Sequence, residues 1–198
     1  MSQTIIIATR NEGKAAEFKR LFEPKGLQAA SLNELTHLPD VEETGHSFEE
    51  NAILKAETIS RLTGKPVIAD DSGLSIDALG GDPGIYSARY AGEEKDDGAN
   101  IAKVLENMKE VEKDQRTARF RCALAIAAPG KETKTVEGSV EGFITEKPEG
   151  ENGFGYDPIF MVKDKGVTMA QLSSEEKNKI SHRANALKKL DQLIGEYF

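Results

Sequence analysis

Two carboxylates stand side by side in the stretch PVIADDSGL, residues 66–74, directly after an apolar run. The apolar run reads as a buried strand, and Asp70 and Asp71 would stand at its carboxyl end. Because adjacent buried acids repel each other, such a pair requires a compensating cation. One carboxylate can bind Mg²⁺ together with substrate phosphates, and a second can accept a proton from a metal-bound water. The alternative is an ordinary turn with an Asx cap, which carries no chemistry.

The stretch TRNEGK, residues 9–14, has the pattern of a phosphate site. A strand ends there, a short loop with one glycine follows, and a helix begins near Lys14. The N–H groups at a helix N-terminus favour an anion. The stretch is not a Walker A loop, because Ala15 replaces the Ser or Thr of that motif and the first glycine is missing. A strand–turn–helix joint capped by Asn11 explains the same residues equally well.

The segment VEETG, residues 41–45, precedes a helix that begins with a capping box. Glu42 and Glu43 lie just before the helix N-terminus. Asn51 and Lys55 are four residues apart, so they share one face of the helix. Taken alone, these residues fit a solvated acidic turn and a surface pair better than a site.

The stretch NGFGYDPIF, residues 152–160, has the composition of a loop that binds a flat ring. Gly153 and Gly155 flank Phe154, and glycines let a backbone approach a ligand closely. An aromatic ring can stack on a base. The alternative is a glycine-rich turn whose aromatic residues belong to the core.

The stretch EKNKISHRANAL, residues 176–187, places cationic and donor groups just before the last helix. Lys177, His182 and Arg183 could donate hydrogen bonds to the oxygen edge of a purine. The alternative is a basic patch on a solvated helix.

The order of elements predicts a mixed α/β fold with a central sheet. Strands and helices alternate at first, and a β-hairpin region follows. We expect a single domain over residues 1–198, divided into two lobes around a cleft. The predicted strands are 4–9, 27–32, 66–70, 117–128, 133–144 and 158–162, and the predicted helices are 14–23, 47–64, 97–111 and most of 174–198.

Charge and composition exclude several classes of protein. The chain has 198 residues and a net charge of −8, whereas nonspecific nucleic-acid binding needs a basic surface. No apolar stretch approaches the roughly 18 residues of a membrane span, and the N-terminus does not have the pattern of a signal peptide. Cys122 is the only cysteine and reads as a small core residue. We expect a cytoplasmic protein that binds neither nucleic acid nor a membrane.

Ordered motifs over nearly the whole chain resemble the inosine triphosphate pyrophosphatase family, in particular its bacterial branch. They are TRNEGK, EETGHSFEENAILKA, IADDSGL, GGDPGIYSARYAG, RTARFRCALA, GFGYDPIF and SHRANALK. The resemblance implies an elongated two-lobed fold with a long central mixed β-sheet flanked by helices. It also implies Mg²⁺-dependent cleavage of ITP, dITP and XTP between the α and β phosphates, which yields the monophosphate and pyrophosphate. Members of the family are usually homodimers.

The resemblance also implies roles for individual residues. Asp71 is expected to be the proton acceptor, and Glu42 and Asp71 to be the acids that hold Mg²⁺, with Glu43 open as the alternative to Glu42. Asp70 has no assigned role. The residues expected to contact the substrate are Thr9, Arg10, Asn11, Glu12, Gly13 and Lys14, then Lys55 and Ser72, then Phe154, Gly155, Tyr156 and Asp157, and finally Lys177, His182 and Arg183.

Substrate selectivity has a chemical basis in this interpretation. Hypoxanthine and xanthine carry an oxygen at C6 where adenine carries an amino group, so buried donors from His182, Arg183 or backbone N–H groups would reject adenine. Guanine also carries this oxygen, so its rejection must act at another position, such as C2. Two rival functions stay open: a Maf-type pyrophosphatase acting on other nucleotides, and a nucleotide-binding regulator without catalysis.

Overall fold

The computed structural model describes residues 4–197, and within them one sheet contains six strands. The strands are β1 (Thr4–Ile7), β2 (Gln28–Ser31), β3 (Val67–Ile76), β4 (Thr117–Ala127), β5 (Lys134–Ile144) and β6 (Phe160–Val162). They are hydrogen-bonded in the order β2-β1-β3-β4-β5-β6. β1 is parallel to β2 and β3, whereas β5 and β6 are antiparallel. The predicted mixed α/β fold is therefore confirmed.

The described part of the chain has five α-helices, and local sequence explains where several of them begin. They are α1 (Glu12–Phe22), α2 (Phe48–Thr63), α3 (Asp97–Asn107), α4 (Ser174–Ile180) and α5 (His182–Ile194). Asn11, Ser47 and Asp96 cap α1, α2 and α3, because each side chain accepts a backbone N–H of the first turn. None of the helices in residues 4–197 has the length and apolar composition needed to cross a membrane.

Two predicted boundaries are wrong in an informative way. β3 does not end at the two aspartates but continues to Ile76, because burial and pairing within the sheet override the turn-like composition of Asp-Ser-Gly. The last helical stretch is broken at Ser181, which separates α4 from α5. α5 ends at Ile194, short of the predicted end at Phe198. Phe198 itself lies outside the described residues, as do residues 1–3.

The chain divides into two compact units, each built from discontinuous ranges. The first unit comprises the chain up to Asp71, residues 122–138, and the chain from Arg183 onward. Its core brings together Ile5, Ile7, Phe18, Phe22, Ile68, Cys122, Leu124, Ile126, Ala186, Leu187 and Leu190. The second unit comprises residues 72–121 and 139–182. Its core includes Leu74, Ile76, Val104, Met108, Phe120, Tyr156, Phe160 and Met169. The prediction of one domain stays a prediction.

Candidate functional site

The two aspartates lie inside β3, at the level where its parallel neighbour β1 has ended. β1 pairs with β3 only as far as Ile7 and Ile68, and the N–H of Ala8 still donates to the carbonyl of Ile68 at 2.8 Å. The aspartates therefore stand beyond the carboxyl end of β1, where open α/β sheets collect ligands. Successive side chains of a strand point to opposite faces, so Asp70 and Asp71 enter different surroundings.

Asp70 is fully buried between two cationic side chains of the first unit. Its Oδ1 lies 2.6 Å from Lys14 Nζ, and its Oδ2 accepts from Arg183 Nε at 2.9 Å. The Sγ of Cys122 also donates to Oδ2, at 3.0 Å. Burial alone would raise the pKa of Asp70, but Arg183 and Lys14 hold that pKa well below its ordinary value of 3.8. The cation expected beside this acid is thus supplied by the protein itself.

Arg183 is buried and pairs with carboxylates of the first unit. Its side chain is 1% exposed, and besides Asp70 it pairs with Glu17 of α1. Its guanidinium carbon also lies 5.9 Å from the centre of the Phe18 ring. A guanidinium buried among these groups fixes Asp70. The role of Arg183 as a substrate contact stays a prediction.

Asp71 is buried and contacts side chains from α2. Its Oδ2 accepts from Asn51 Nδ2 at 3.0 Å, and its Oδ1 lies 3.7 Å from Lys55 Nζ. Burial raises the pKa of Asp71, while Lys55 opposes that rise and Glu43 adds to it. The adjacent carboxylates therefore differ in character: Asp70 stays ionised, and Asp71 is the more basic of the two.

Asn51 belongs to this site, although the sequence interpretation did not assign it there. Its side chain is 1% exposed, and its Oδ1 accepts from the N–H of Gly45 at 2.7 Å. Asn51 thus ties the 41–45 segment to Asp71. The sequence indicates this only through the position of Asn51 four residues before Lys55, a spacing that fits a surface pair equally well.

The structure distinguishes Glu42 from Glu43. Glu42 is exposed, whereas Glu43 is half-buried and its Oε1 lies 2.8 Å from Lys55 Nζ. Lys55 Nζ also donates to the carbonyl of Asp70 at 2.6 Å. Glu43 is therefore the acid that the contacts bring toward Asp71. The assignment of Mg²⁺ to Glu42, with Glu43 as the alternative, stays a prediction.

The donor set at Asp71 fits Mg²⁺. No group of three or more His, Cys, Asp or Glu side chains within residues 4–197 forms a preformed metal cluster. Mg²⁺, however, is usually held by one or two carboxylates together with substrate phosphates and water. Asp71 and Glu43, both close to Lys55, are carboxylates of this kind.

The loop between β1 and α1 presents a helix N-terminus beside Lys14. Asn11 Oδ1 accepts the N–H of Lys14 at 2.9 Å, and the N–H of Asn11 donates to Thr9 Oγ1 at 3.1 Å. The first helical residues, Glu12 and Gly13, follow this cap. The first turn of a helix carries free N–H groups and a partial positive charge. The role of Thr9, Asn11, Glu12, Gly13 and Lys14 in binding phosphate stays a prediction.

The Arg10 guanidinium contacts the chain that follows β2. Its Nη1 donates to the carbonyl of Leu32 at 2.7 Å, its Nη2 donates to the carbonyl of Leu38, and its Nε pairs with Asp40. These contacts use the guanidinium to hold the chain after β2. The role of Arg10 as a substrate contact stays a prediction.

The Phe154 loop, residues 153–157, belongs to the second unit together with Lys177. Asp157 Oδ2 accepts from Lys177 Nζ at 2.6 Å and from the N–H of Phe154 at 3.1 Å. Lys177 Nζ also lies 4.6 Å from the centre of the Phe154 ring. Tyr156 is buried and donates its hydroxyl to the carbonyl of Ser87 at 2.7 Å. Asp157 thus orders the loop that was expected to bind the base.

Two other predicted residues of the second unit occupy different surroundings. His182 begins α5, is buried, and stacks on Phe120 with ring centres 5.0 Å apart. Ser72 follows Asp71 on β3 and is half-buried. Their roles as substrate contacts stay predictions.

Comparison with known proteins places this geometry in a family. A model described as the Ham1 family matches residues 5–193. The dITP/XTP pyrophosphatases of Bacillus licheniformis and Bacillus subtilis are each 67% identical to the chain. The first match covers 97% of this chain and 98% of the relative, and the second covers 96% of each. The solved structure of the Staphylococcus aureus Ham1 protein has a TM-score of 0.86 at 49% identity, covering 98% of this chain and 99% of that one. The resemblance carried by the motifs is confirmed, and the chain belongs to the Ham1 family.

Proposed function

We propose that this chain hydrolyses non-standard purine nucleoside triphosphates, namely ITP, dITP and XTP, to the monophosphate and pyrophosphate. Such an enzyme would remove deaminated purines from the nucleotide pool. Relatives named dITP/XTP pyrophosphatase share 57% to 67% identity with it over nearly its whole length. The observation that carries the proposal is the geometry of the two aspartates: Asp70 lies between Lys14 and Arg183, whereas Asp71 accepts from Asn51 and lies 3.7 Å from Lys55.

The residues of the first unit divide the chemistry among them. In the reaction, a water oxygen bonds to the α-phosphorus, the bond from that phosphorus to the bridging oxygen of the β-phosphate breaks, and pyrophosphate leaves. Asp71 accepts the proton of the water, since its raised pKa makes it a better base than an ordinary carboxylate. Lys14 and the N-terminus of α1 bind the phosphates. Asp70 holds the ammonium of Lys14 in place.

Mg²⁺ would supply charge neutralisation at the phosphates, with Asp71 and Glu43 as its carboxylate ligands. Lys55 keeps these two carboxylates close together, because its ammonium lies 2.8 Å from Glu43 Oε1 and 3.7 Å from Asp71 Oδ1. We expect pyrophosphate release to stop in EDTA and to return with added Mg²⁺. Activity that persists in EDTA would contradict the metal requirement.

The Phe154 loop is proposed to bind the base. The Phe154 ring offers a stacking surface, and Lys177, His182 and Arg183 are the proposed donors toward the oxygen at C6. Donors facing the amino group of adenine would be left unpaired, so ATP is rejected. Side-by-side measurement of pyrophosphate release from ITP, dITP, XTP, GTP and ATP tests this selectivity. Equal rates with ITP and ATP would refute it.

Asp71→Asn tests the proposed proton acceptor directly. The amide keeps the size of the side chain but cannot take the proton, so we expect dITP hydrolysis to fall by about 10²-fold or more. Asp164→Asn changes an exposed aspartate and serves as the matched control. Near wild-type hydrolysis by a folded Asp71→Asn protein would remove Asp71 from this role.

We also propose that the protein is a cytoplasmic homodimer, a suggestion that rests on the family resemblance. Light scattering coupled to size-exclusion chromatography would measure the mass in solution, and a mass equal to one chain of 21.6 kDa would contradict the dimer. Cell fractionation would test the compartment.

A further inference from the structure

The backbone of the Phe154 loop is held by two carboxylates, and only one of them belongs to the loop. Asp157 accepts the N–H of Phe154 at 3.1 Å. The N–H of the next residue, Gly155, donates to Asp97 Oδ2 at 2.8 Å. Asp97 lies 58 residues earlier in the chain, so the second contact is a tertiary one.

Asp97 is available for this contact because a neighbouring residue caps its helix. Asp97 is the first residue of α3, and the side chain of Asp96 accepts the N–H of Ala99 at 2.6 Å. The capping requirement of the first turn is therefore met without Asp97. Its exposed carboxylate reaches the loop instead.

The start of α3 is itself anchored, so Asp97 is a fixed reference for the loop. Asn100, in the same turn, is 2% exposed. It accepts from the N–H of Ala91 at 2.7 Å and donates to the carbonyl of Ala88 at 3.0 Å. The neighbouring carbonyl of Ser87 accepts the hydroxyl of Tyr156, which follows Gly155. These contacts join the helix start, the 87–91 segment and the loop into one closed network.

The loop needs such a restraint because two of its residues are glycines in the left-handed region. Gly153 has φ 78° and Gly155 has φ 61°, and glycine moves between backbone regions at little cost. No atom outside its immediate neighbours lies within 4 Å of the position of a Cβ at Gly155. Packing therefore does not fix this residue, and the hydrogen bond to Asp97 does.

We propose that Asp97 is a positioning residue for base recognition, which fixes the Gly155 backbone and thereby the Phe154 ring between Gly153 and Gly155. This inference rests on the proposed function, because it concerns the loop that is proposed to bind the base. Asp97 touches no reacting atom. Its loss weakens the binding of the purine and leaves the phosphate-binding residues of the first unit unchanged.

The test compares Asp97→Ala with Asp97→Asn, which keeps an acceptor oxygen for the Gly155 N–H. The kinetics of dITP hydrolysis give KM and kcat separately. Inorganic tripolyphosphate has no base, so its inhibition constant as a competitive inhibitor measures binding to the phosphate-binding residues alone. Glu94→Ala removes another exposed carboxylate before α3 and controls for the change in charge. Asp97→Gln moves the acceptor oxygen one carbon farther along the side chain and is a second variant, besides Asp97→Ala, that loses the hydrogen bond to Gly155. Thermal unfolding confirms that each protein is folded.

We expect Asp97→Ala and Asp97→Gln to raise KM for dITP about threefold to tenfold, the size of one net hydrogen bond, with kcat and the inhibition constant of tripolyphosphate unchanged. Asp97→Asn and Glu94→Ala should resemble wild type. Three results would overturn the inference. KM could be unchanged in both Asp97→Ala and Asp97→Gln, or KM and the inhibition constant of tripolyphosphate could rise equally. The third is a KM for Asp97→Asn that is raised as in the other two variants. Wild-type protein that releases no pyrophosphate from any nucleotide would instead overturn the proposed function itself.

Discussion

The alternation of side chains along a strand explains how β3 carries two adjacent aspartates in a buried position. Asp70 enters a group formed by α1, α5 and β4, where Lys14 and Arg183 neutralise it. Asp71 enters the opposite face, where Asn51 donates to it and Lys55 lies farther away. The repulsion expected between neighbours is reduced because each carboxylate has its own partners.

Asp70→Asn is expected to cost much more stability than Asp71→Asn. Removing the charge of Asp70 takes away the carboxylate that the half-buried Lys14 and the buried Arg183 share, a change worth about 3 kcal/mol or more. Asp71 is held with a raised pKa, so the fold already disfavours its ionised form and the neutral amide should cost less than about 1 kcal/mol. Urea unfolding of the two variants measures the difference. Equal free energies of unfolding would contradict this assignment of environments.

Tyr156 predicts a change in stability at high pH. Burial raises the pKa of Tyr156 well above its ordinary value of 10.0. Above that ordinary value the unfolded chain loses the phenolic proton while the folded chain keeps it, so stability falls as the pH rises. Tyr156→Phe should remove up to about 1.4 kcal/mol per pH unit of this decline above pH 10.

The measurement for Tyr156 is the free energy of unfolding from pH 8 to pH 12. Tyr156→Phe should also lower stability by about 1 kcal/mol at neutral pH, because the hydrogen bond to Ser87 is lost. Tyr86→Phe removes an exposed phenol and is the matched control. Parallel curves for wild type and Tyr156→Phe would show that burial does not perturb this group.

At the scale of elements, α2 brings Asn51 and Lys55 to Asp71, and the 41–45 segment fixes both. Gly45 donates its N–H to Asn51, and Glu43 pairs with Lys55. The close approach of Gly45 to the helix requires a residue without a side chain. A Cβ built there would lie 2.7 Å from Asn51 Oδ1 and 2.8 Å from the Cβ of Glu50.

Gly45→Ala should therefore displace Asn51 and reduce activity while the protein remains folded. We expect a loss of about 1–3 kcal/mol in stability from overpacking and a fall in kcat through the misplaced Asp71. Gly195→Ala is the matched control, since a Cβ there has no atom within 4 Å. Wild-type kcat in Gly45→Ala would mean that Asn51 does not position Asp71.

Sequence patterns predicted elements whose signals are local. The capping residue Ser47 marked α2, and the apolar run before Asp70 marked the start of β3. Sequence patterns did not predict structure that depends on contacts between distant parts of the chain. β3 continues through a turn-like Asp-Ser-Gly because neighbouring strands pair with it, and Arg183 turns toward Asp70 because Glu17 and Asp70 converge there in the fold. No spacing along the chain records that convergence.

At the scale of the molecule, the core of the first unit depends on distant parts of the chain. Residues from β1, α1, β3 and β4 meet Leu187 and Leu190 of α5 in that core. Arg183, at the start of α5, also supplies the charge that faces Asp70. The first unit is therefore incomplete without the last helix.

A chain ended at His182 should lose the cooperative unfolding of the first unit. Each large core side chain removed costs about 2–5 kcal/mol, and a typical domain has only about 5–15 kcal/mol in total. Circular dichroism during heating measures the transition. A chain ended at Ile194 keeps α5 and should still unfold cooperatively, at a lower temperature. A His182-terminated chain that melts like the full chain would contradict this dependence.

Because Cys122 contacts Asp70 in the core of the first unit, the reaction of this single thiol reports transient opening of that core. Burial raises the pKa of Cys122 well above its ordinary value, and the nearby charge of Asp70 raises it further, so the folded thiol is neutral and shielded from reagents. Alkylation then requires transient exposure of the core of the first unit, and its rate gives the frequency of that event. The sequence contains no second cysteine that could react. Mass spectra taken during the alkylation would therefore measure how often the residues around Asp70 and Cys122 become exposed to the reagent, without any added label.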